Sequence, residues 1–538
     1  MPRTPLLQRL LRALHSNRET HARTLDVRSV APSRDLTRRA TMLGGVALGL
    51  HAAGCYGPAA AKFGAPHVPV KTAGGPGSVV VVGGGMAGLT CAYRLLAGGV
   101  PCEVLEASNR LGGRVFSDRS TFGGLVAELG GEFIDTGHDN LRTLAQELGL
   151  ELDDLKATDD GLHALYDFGG RIYEEEEVAT ALRQLAPVVA KELEQLGDPE
   201  VPYMARGFFR ERDQWSIARW LEEHAVNGIG RQLLELAFTT ELGLDADQLS
   251  CIPMLQMLGL GDPFALYGES DERYRVKGGN SRVSEELGRR LDGRITLGAA
   301  LEAAKRRADG RVTLTFRKDG GTIERVADRV VFALPFSILR HLALDDSLRL
   351  SPRKVRSIKE LGYGTNAKLT LGYASRKWRE SKRSGELFTD RPYQSTWETT
   401  RAQPGTAGIL TVFTGGKGGE ALGQGPSESQ RDACAAAIES ALVGTRAELT
   451  MAHARFDWPN HPFVRASYST WKVGQLTAFG GVEAEVEADV LHFAGEHTSL
   501  TAQGYMEGAV ESGNRAAKEV LVELAAGARA GPWHRGAS

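Results

Sequence analysis

The residues best suited to chemistry form a glycine-rich turn at positions 83–88, GGGMAG. The turn fits the spacing G-x-G-x-x-G, directly after four valines and before a helical pattern. Gly83 permits the tight bend, Gly85 lets a pyrophosphate approach the backbone, and Gly88 lets the helix pack closely on the strand. The start of the helix adds partial positive charge for the phosphates. The turn therefore predicts a dinucleotide site.

A carboxylate and a second glycine pair follow this turn. Glu106 ends the next strand pattern, 18 residues beyond Gly88, where a carboxylate can accept hydrogen bonds from both hydroxyls of an adenosine ribose. The run 110–114, RLGGR, then offers another backbone approach and a flanking arginine for the same pyrophosphate. NAD-binding folds usually have nothing of this kind here, so the run argues against NAD.

Together these motifs resemble the flavin-containing amine oxidase family, the group of flavin monoamine oxidases and L-amino-acid oxidases. In that family the E-x-S-x-R-x-G-G-R run belongs to the FAD site, and the resemblance continues in AELGGEFID (127–135), YRVKGGNSRV (274–283) and FAGEHTSLTAQGYMEGAVESGNRAA (493–517). It implies non-covalent FAD, because Ser467 replaces the cysteine that bonds the flavin in some relatives. The implied FAD contacts are Gly83, Gly85, Met86, Ala87, Gly88, Glu106, Ala107, Arg110, Gly113, Arg114, Gly130, Gly131, Glu132, Leu301, Trp458, Gly495, Glu496, Tyr505 and Met506.

Three residues match the catalytic positions of that family. Lys368 lies on an apolar strand pattern, where a lysine either snorkels or is functional, and it matches the lysine that holds a water against flavin N5. Tyr468 and Tyr505 match the two faces of an aromatic cage, which excludes water and attracts an amine nitrogen. The implied reaction moves a hydride equivalent from the carbon bearing a neutral amine to the flavin. Dioxygen then reoxidises the flavin and is released as hydrogen peroxide.

The segments GGEFID and 239–255 are more similar to bacterial L-amino-acid oxidases than to monoamine oxidases. The sequence therefore predicts an L-amino acid as substrate, with a 2-oxo acid and ammonia as products. Phe133 stands where many such oxidases have a carboxylate-binding arginine, so Arg465, three residues before Tyr468, is the predicted carboxylate partner. Phe133 itself and Trp471 are further predicted substrate contacts.

Two other substrate classes remain open. The first alternative is a primary amine or polyamine, and the second is an apolar ligand of a desaturase or isomerase on the same fold. Lys368 and the paired tyrosines weigh against the second. Glu132 or Asp135 either selects a cationic side chain or makes structural hydrogen bonds.

These residues require an α/β fold with two interleaved domains. Strand, helix and strand patterns over residues 79–106 predict a βαβ unit, and Asp319-Gly320 predicts a hairpin turn. We expect a GR2-type Rossmann-like FAD-binding domain and a substrate domain of mixed sheet plus helical lid. The predicted segments are 78–140, 270–345 and 485–525 for FAD, 141–269 for the helical part, 346–484 for the sheet part and 526–538 for a disordered tail.

Residues 1–61 are predicted to be a leader rather than part of the fold. Arg38 and Arg39 precede a short Gly/Ala-rich stretch, the signature of twin-arginine export, which carries proteins already folded with their cofactor. The predicted location is therefore the periplasm or the exterior of a bacterium, with the export machinery as a partner. Ala53-Gly54-Cys55 is an alternative lipid-attachment signal. A homodimer is compatible with the sequence.

Composition excludes some other classes of function. A formal net charge of −3 gives nothing that would draw nucleic acid. The five cysteines show neither a CxxC spacing nor a paired framework, so no metal site or disulfide scaffold is predicted.

Overall fold

The computed structural model describes residues 77–158, 161–261 and 265–529. The predicted leader, with Arg38, Arg39 and Cys55, lies outside these residues, as does the chain beyond 529. No helix within the described ranges is both long and apolar enough to cross a membrane.

The strands, numbered in chain order, are β1 Val79–Val82, β2 Cys102–Leu105, β3 Ser117–Phe122, β4 Leu125–Glu128, β5 Leu152–Asp154, β6 His163–Phe168, β7 Arg171–Tyr173, β8 Tyr274–Val276, β9 Ile295–Thr296, β10 Ala300–Arg306, β11 Val312–Lys318, β12 Gly321–Ala327, β13 Arg329–Phe332, β14 Ala343–Leu344, β15 Gly362–Tyr363, β16 Ala367–Tyr373, β17 Arg383–Thr389, β18 Ser395–Glu398, β19 Gly408–Thr414, β20 Leu449–Asp457, β21 Ser469–Thr470 and β22 Leu491–Phe493.

The α-helices are α1 Met86–Ala97, α2 Asp139–Glu147, α3 Glu175–Arg183, α4 Ala186–Leu196, α5 Phe208–Arg212, α6 Ile217–Glu223, α7 Gly228–Leu242, α8 Cys251–Met257, α9 Ser281–Arg290, α10 Phe336–Leu339, α11 Pro352–Glu360, α12 Lys377–Glu380, α13 Gly416–Leu422, α14 Ser427–Glu439, α15 Thr445–Glu448, α16 Gln475–Phe479 and α17 Met506–Arg529. Short 3₁₀ turns lie at Lys156–Thr158, Pro202–Met204, Asp346–Leu348, Val482–Ala484 and Glu496–Thr498.

A five-stranded parallel sheet carries the glycine-rich turn. Its order is β22-β13-β1-β2-β9, so the chain contributes strands from three distant segments. The four valines of β1 are all buried, as expected for a central strand covered on both faces. The predicted βαβ unit is confirmed as β1, α1 and β2.

The second large sheet has seven strands in the order β20-β16-β19-β18-β17-β6-β7. Lys368 lies on β16, whose seven residues are all buried. Strands β6 and β7 come from the segment 141–269, which the sequence predicts to be the helical part of the substrate domain. That segment therefore supplies both the helices α3 to α8 and one edge of this sheet.

Local turn chemistry sets the ends of several elements. Asp319 and Gly320 both have positive φ (49° and 78°), and they join β11 to β12 as a two-residue hairpin, as predicted. The last helix runs on to Arg529, so the predicted disordered tail is wrong for residues 526–529.

Gly88 fixes how closely α1 approaches β1. A Cβ built there would lie inside van der Waals contact with the Gly83 carbonyl oxygen and 3.0 Å from the Ala333 Cβ. We expect Gly88→Ala to displace the glycine-rich turn and to lower both the bound flavin per protein and the melting temperature. Flavin absorbance and thermal unfolding measure these two quantities.

Gly230→Ala is the matched control. Gly230 also lies in a buried helix, but an added Cβ there meets only Val226 Cγ1, at 4.0 Å. We expect it to be neutral or to stabilise by about 0.5–1 kcal/mol, since alanine favours helix more than glycine does. Equal losses in the two variants would contradict the steric argument.

Candidate active site

A cavity of about 900 Å³ lies where the two large sheets face the glycine loops. Of the predicted FAD, catalytic and substrate residues, all but two line it. Gly88 does not, because it packs α1 against the first sheet. Arg465, the predicted carboxylate partner, is exposed and lies outside the cavity wall, so the geometry gives that assignment no support.

The two glycine loops meet at one end of this central cavity. The Gly112 amide donates to the Gly84 carbonyl (2.9 Å), and a Cβ at Gly113 would lie 3.3 Å from the Gly85 Cα. Helix α1 begins at Met86, and no side chain caps its first turn because its N-cap residue is Gly85. Its amide donors are therefore available to a phosphate.

Glu106 lies beside these loops and shapes them. Its Oε2 accepts from the Gly84 amide (2.6 Å) and its Oε1 from the Ser108 amide (2.8 Å). Arg110 turns inward to its own loop, donating to the carbonyls of Leu111, Val115 and Gly113. Its guanidinium thus holds the second glycine pair in shape as well as lining the cavity.

Glu496 connects the parts of the site. Its carboxylate accepts from the Arg114 guanidinium (2.7 Å), the Ser469 amide and hydroxyl (3.1 and 2.6 Å) and the Gly504 amide (2.9 Å). Burial opposes its ionisation, but the charge of Arg114 and these donors outweigh burial, so the pKa of Glu496 lies below its ordinary value.

The imidazole of the neighbouring His497 has no hydrogen-bond partner among the described residues. Both ring nitrogens are buried without a hydrogen-bond partner in the described part of the chain, although the residue lines the cavity. Burial lowers the pKa of His497 to about 3, so the ring is neutral. Buried polar groups normally have partners, which indicates that a polar cofactor completes this wall.

The remaining cofactor residues close around the same space. A Cβ at Gly131 would lie 2.9 Å from the Met506 side chain at the start of α17, so only glycine permits this approach. Trp458 donates its indole N–H to the Leu129 carbonyl (2.9 Å), and Leu301 lies on β10. An uncapped helix start, a ribose-type carboxylate and an orphaned imidazole together fit FAD.

Lys368 is buried and uses all three of its ammonium protons on the protein. It donates to the carbonyls of Glu128 (3.2 Å) and Gly130 (2.9 Å) and forms an ion pair with Glu132 Oε2 (2.9 Å). Its Nζ also lies 5.0 Å from the centre of the Trp397 ring. The water contact that the resemblance implies for Lys368 stays a prediction.

The carboxylate of Glu132 likewise contacts several neighbouring side chains. Besides Lys368, it accepts from the Thr399 hydroxyl (3.0 Å), and Arg275 Nη1 lies 3.9 Å away. Asp135 accepts from the Glu272 amide and faces His138 Nε2 at 3.4 Å. These contacts support the structural alternative for both acids.

The two predicted cage tyrosines are anchored on the end of one helix. Tyr468 donates its hydroxyl to the Thr240 carbonyl (2.9 Å), and Tyr505 donates to Glu241 Oε1 (2.6 Å), both at the end of α7. A Cβ at Gly504 would lie 3.8 Å from the Tyr468 ring, so the segments that carry Tyr468 and Tyr505 lie close together.

Phe133, a predicted substrate contact, lies in the cavity wall beside Trp397 and Arg401, neither of which was predicted from the sequence. Phe133 meets Trp397 edge to face (5.5 Å between ring centres), and the Arg401 guanidinium lies 5.1 Å from the Phe133 ring. Three glutamates, Glu241, Glu272 and Glu386, line the same cavity. The sequence gave no spacing signal for them because they come from separate elements.

The site combines a dinucleotide cradle with an aromatic-walled chamber, which defines a flavin oxidoreductase. The sequence model for "Flavin containing amine oxidoreductase" matches residues 86–521. The chain therefore belongs to the flavin-containing amine oxidoreductase family, and it is an oxidoreductase acting on amines with FAD as its cofactor. None of the four cysteines in the described residues lines the cavity, which agrees with non-covalent FAD.

The chain resembles several named relatives at low identity. A protein named as a flavin-containing monoamine oxidase in Mycobacterium tuberculosis is 28% identical over 83% of this chain and 97% of its own length. An L-amino-acid oxidase of Siganus canaliculatus is 24% identical over 85% and 86%. The solved structure of putrescine oxidase bound to putrescine superposes with a TM-score of 0.71 at 22% identity, covering 83% of this chain and 99% of that one.

The ion pair between Lys368 and Glu132 yields a double-mutant prediction. Removing either charge leaves the other buried, so we expect Glu132→Gln and Lys368→Met each to cost about 3 kcal/mol of unfolding free energy. The double variant should cost less than the sum, with a coupling of about 1–3 kcal/mol. Denaturant unfolding of the flavin-loaded protein measures these values.

The pair Lys277 and Glu151 is the matched control. It has a similar separation (2.8 Å), but both side chains are more than half exposed. The same cycle with Lys277→Met and Glu151→Gln should give a coupling below about 1 kcal/mol. Additive effects at Lys368 and Glu132 would show that the buried pair does not act as a unit.

Proposed function

We propose that the chain is an oxidase of a primary amine, which it converts to an imine with dioxygen as the electron acceptor. The observation that carries this proposal is the placing of Tyr468 and Tyr505 on the same cavity as the dinucleotide cradle. The imine then reacts with water to give a carbonyl compound and ammonia.

The chain's own residues bind and orient the amine. Tyr468 and Tyr505 exclude water and attract the nitrogen to their ring faces, and their hydroxyls are held by α7. No side chain needs to remove a proton from carbon if the amine arrives neutral. The glycine loops and Glu106 would hold FAD, which would supply the hydride acceptor and the two-electron reduction of dioxygen to hydrogen peroxide.

A bare amine is favoured over the L-amino acid that the sequence predicted. The proposed carboxylate partner, Arg465, is exposed outside the cavity. Two glutamates in the wall, Glu241 and Glu386, also oppose a substrate carboxylate by like charge. Relatives that are named as oxidases of monoamines and of putrescine support the same class. The ionisable wall weighs against an apolar ligand.

An L-amino acid is the second candidate because of one observation. Arg401 lines the cavity beside Phe133. Phe133 occupies the position at which many L-amino-acid oxidases carry their arginine. A guanidinium there is a suitable partner for a carboxylate. The L-amino-acid oxidase among the relatives supports this candidate.

Peroxide release from residues 62–538 tests the proposed function. We expect phenethylamine and tyramine to be oxidised with kcat/KM at least tenfold above L-phenylalanine and L-tyrosine, since only the acids bring a carboxylate to the acidic wall. A preference for the amino acids would replace the first candidate with the second. An absence of peroxide with all four would count against both.

Arg401→Gln tests the second candidate separately. If Arg401 binds a carboxylate, KM for L-phenylalanine should rise about 10- to 100-fold, the usual value of a charge-assisted hydrogen bond, while KM for phenethylamine changes less than threefold. Arg465→Gln is the control and should leave both constants unchanged, because Arg465 is exposed. Similar changes for the two substrates would show that Arg401 has only a structural role.

Export in the folded state and dimerisation remain proposals that rest on the sequence. Arg38 and Arg39 with the short apolar stretch that follows support export to the periplasm or the exterior.

A further inference from the structure

Asn366 is a buried amide in the wall of the central cavity. It directly precedes β16, two residues before Lys368, and its exposed fraction is 1%. Buried side-chain amides normally make specific hydrogen bonds, because an unpaired polar group inside a protein is costly. The partners of Asn366 therefore show which parts of the chain it holds together.

The amide of Asn366 binds a neighbouring segment at each end. Its Nδ2 donates to the Thr240 carbonyl near the end of α7 (2.8 Å), and its Oδ1 accepts from the Ser467 hydroxyl (2.6 Å). A carbonyl oxygen can only accept, so the contact with Thr240 determines which way round the amide lies. Tyr468 donates its own hydroxyl to the same carbonyl (2.9 Å). One carbonyl thus accepts from both Asn366 and a cage tyrosine.

Glycines provide the space for this amide. A Cβ at Gly364 would lie 2.8 Å from Asn366 Oδ1, and a Cβ at Gly415 would lie 3.0 Å from Asn366 Nδ2. A Cβ at Gly243 would come closer still to Oδ1, and Gly243, with φ of 82°, ends α7 in the left-handed conformation. Three separate segments therefore leave room for an asparagine side chain, and we expect no longer side chain to fit.

Asn366 acts on Tyr468 at both ends of that residue. The Tyr468 hydroxyl meets the amide at the Thr240 carbonyl, and the Tyr468 backbone is held through Ser467, its direct neighbour in the chain. The Thr240 carbonyl can accept from two donors because it has two lone pairs and lies in the last turn of a helix. Loss of the amide would remove a donor at Thr240 and an acceptor at Ser467 together, which would give the tyrosine more freedom in the cavity.

We propose that Asn366 is a positioning residue that sets the orientation of Tyr468 in the aromatic-walled chamber. The kinetic consequence rests on the proposed function, whereas the orientation of the ring is a property of the protein itself. A misplaced ring still lets the amine bind, but it reduces the fraction of bound amine in the reacting geometry. Asn366 should therefore act on kcat more than on KM.

Asn366→Leu removes both hydrogen bonds and keeps a similar volume. With phenethylamine in the peroxide assay, we expect kcat per bound flavin to fall about 10- to 100-fold and KM to stay within about threefold. Asn514→Leu is the matched control, since Asn514 also bridges two side chains, Arg94 and Asn140, but lies on α17 outside the cavity wall. It should change neither constant. A wild-type kcat in Asn366→Leu, or an effect confined to KM, would overturn the proposal.

Asn366→Asp tests the hydrogen bonds without a change of shape, so it decides the question if Asn366→Leu fails to fold. An ionised carboxylate cannot donate to the Thr240 carbonyl, whereas the protonated acid can donate there and still accept from Ser467. Burial raises the pKa of a carboxyl, so the acid form is accessible. The ratio of variant to wild-type kcat should therefore rise as the pH is lowered from about 9 to about 6. A ratio that does not change with pH would contradict the proposal.

Fluorine NMR of the flavin-loaded protein labelled with 3-fluorotyrosine separates this proposal from the proposed function, because it needs no substrate. The Tyr468 signal is the one that disappears in Tyr468→Phe. We expect a narrow Tyr468 line in the wild-type and Asn514→Leu proteins and a shifted or broadened line in Asn366→Leu. This result supports the positioning role even if no amine yields peroxide. An unchanged line refutes the positioning role, and it leaves the oxidase intact if phenethylamine still yields peroxide.

Discussion

The geometry of the site depends on the carboxylate of Glu496. It is buried, it pairs with Arg114, and it accepts from the backbone at Ser469 and Gly504. Ser469 directly follows the cage tyrosine Tyr468, and Gly504 directly precedes the cage tyrosine Tyr505. One charge thus ties the second glycine loop of the dinucleotide cradle to both walls of the amine chamber, and a buried pair of this kind is costly to break.

The two tyrosines of the amine chamber come from different segments of the chain, and both contact the end of α7. Tyr468 arrives from the segment before β21 and Tyr505 from the segment before α17, yet their hydroxyls meet adjacent residues, Thr240 and Glu241. The Thr240 carbonyl can accept because the last turn of a helix has carbonyls without intrahelical partners, whereas Glu241 accepts through its side-chain carboxylate. The lid helices therefore position the aromatic walls as well as covering them.

Lys368 shows how a motif residue acquires its role from its surroundings. Its place on β16 matches the family lysine. Its ammonium donates hydrogen bonds to two backbone carbonyls and pairs with Glu132. The pair neutralises two charges inside the protein beside the FAD loops.

The sequence by itself determined the dinucleotide cradle and the family. Gly83, Gly85, Gly88 and Glu106 act through backbone geometry over a short stretch, so their spacing carries the information. The tertiary structure decided the substrate chamber. Glu241, Glu272, Glu386 and Arg401 are distant in the chain, and no local pattern marks them. In the folded chain Arg465 lies outside the site and Glu132 pairs with Lys368. Sequence spacing does not show this, because which side chains meet across two sheets depends on packing.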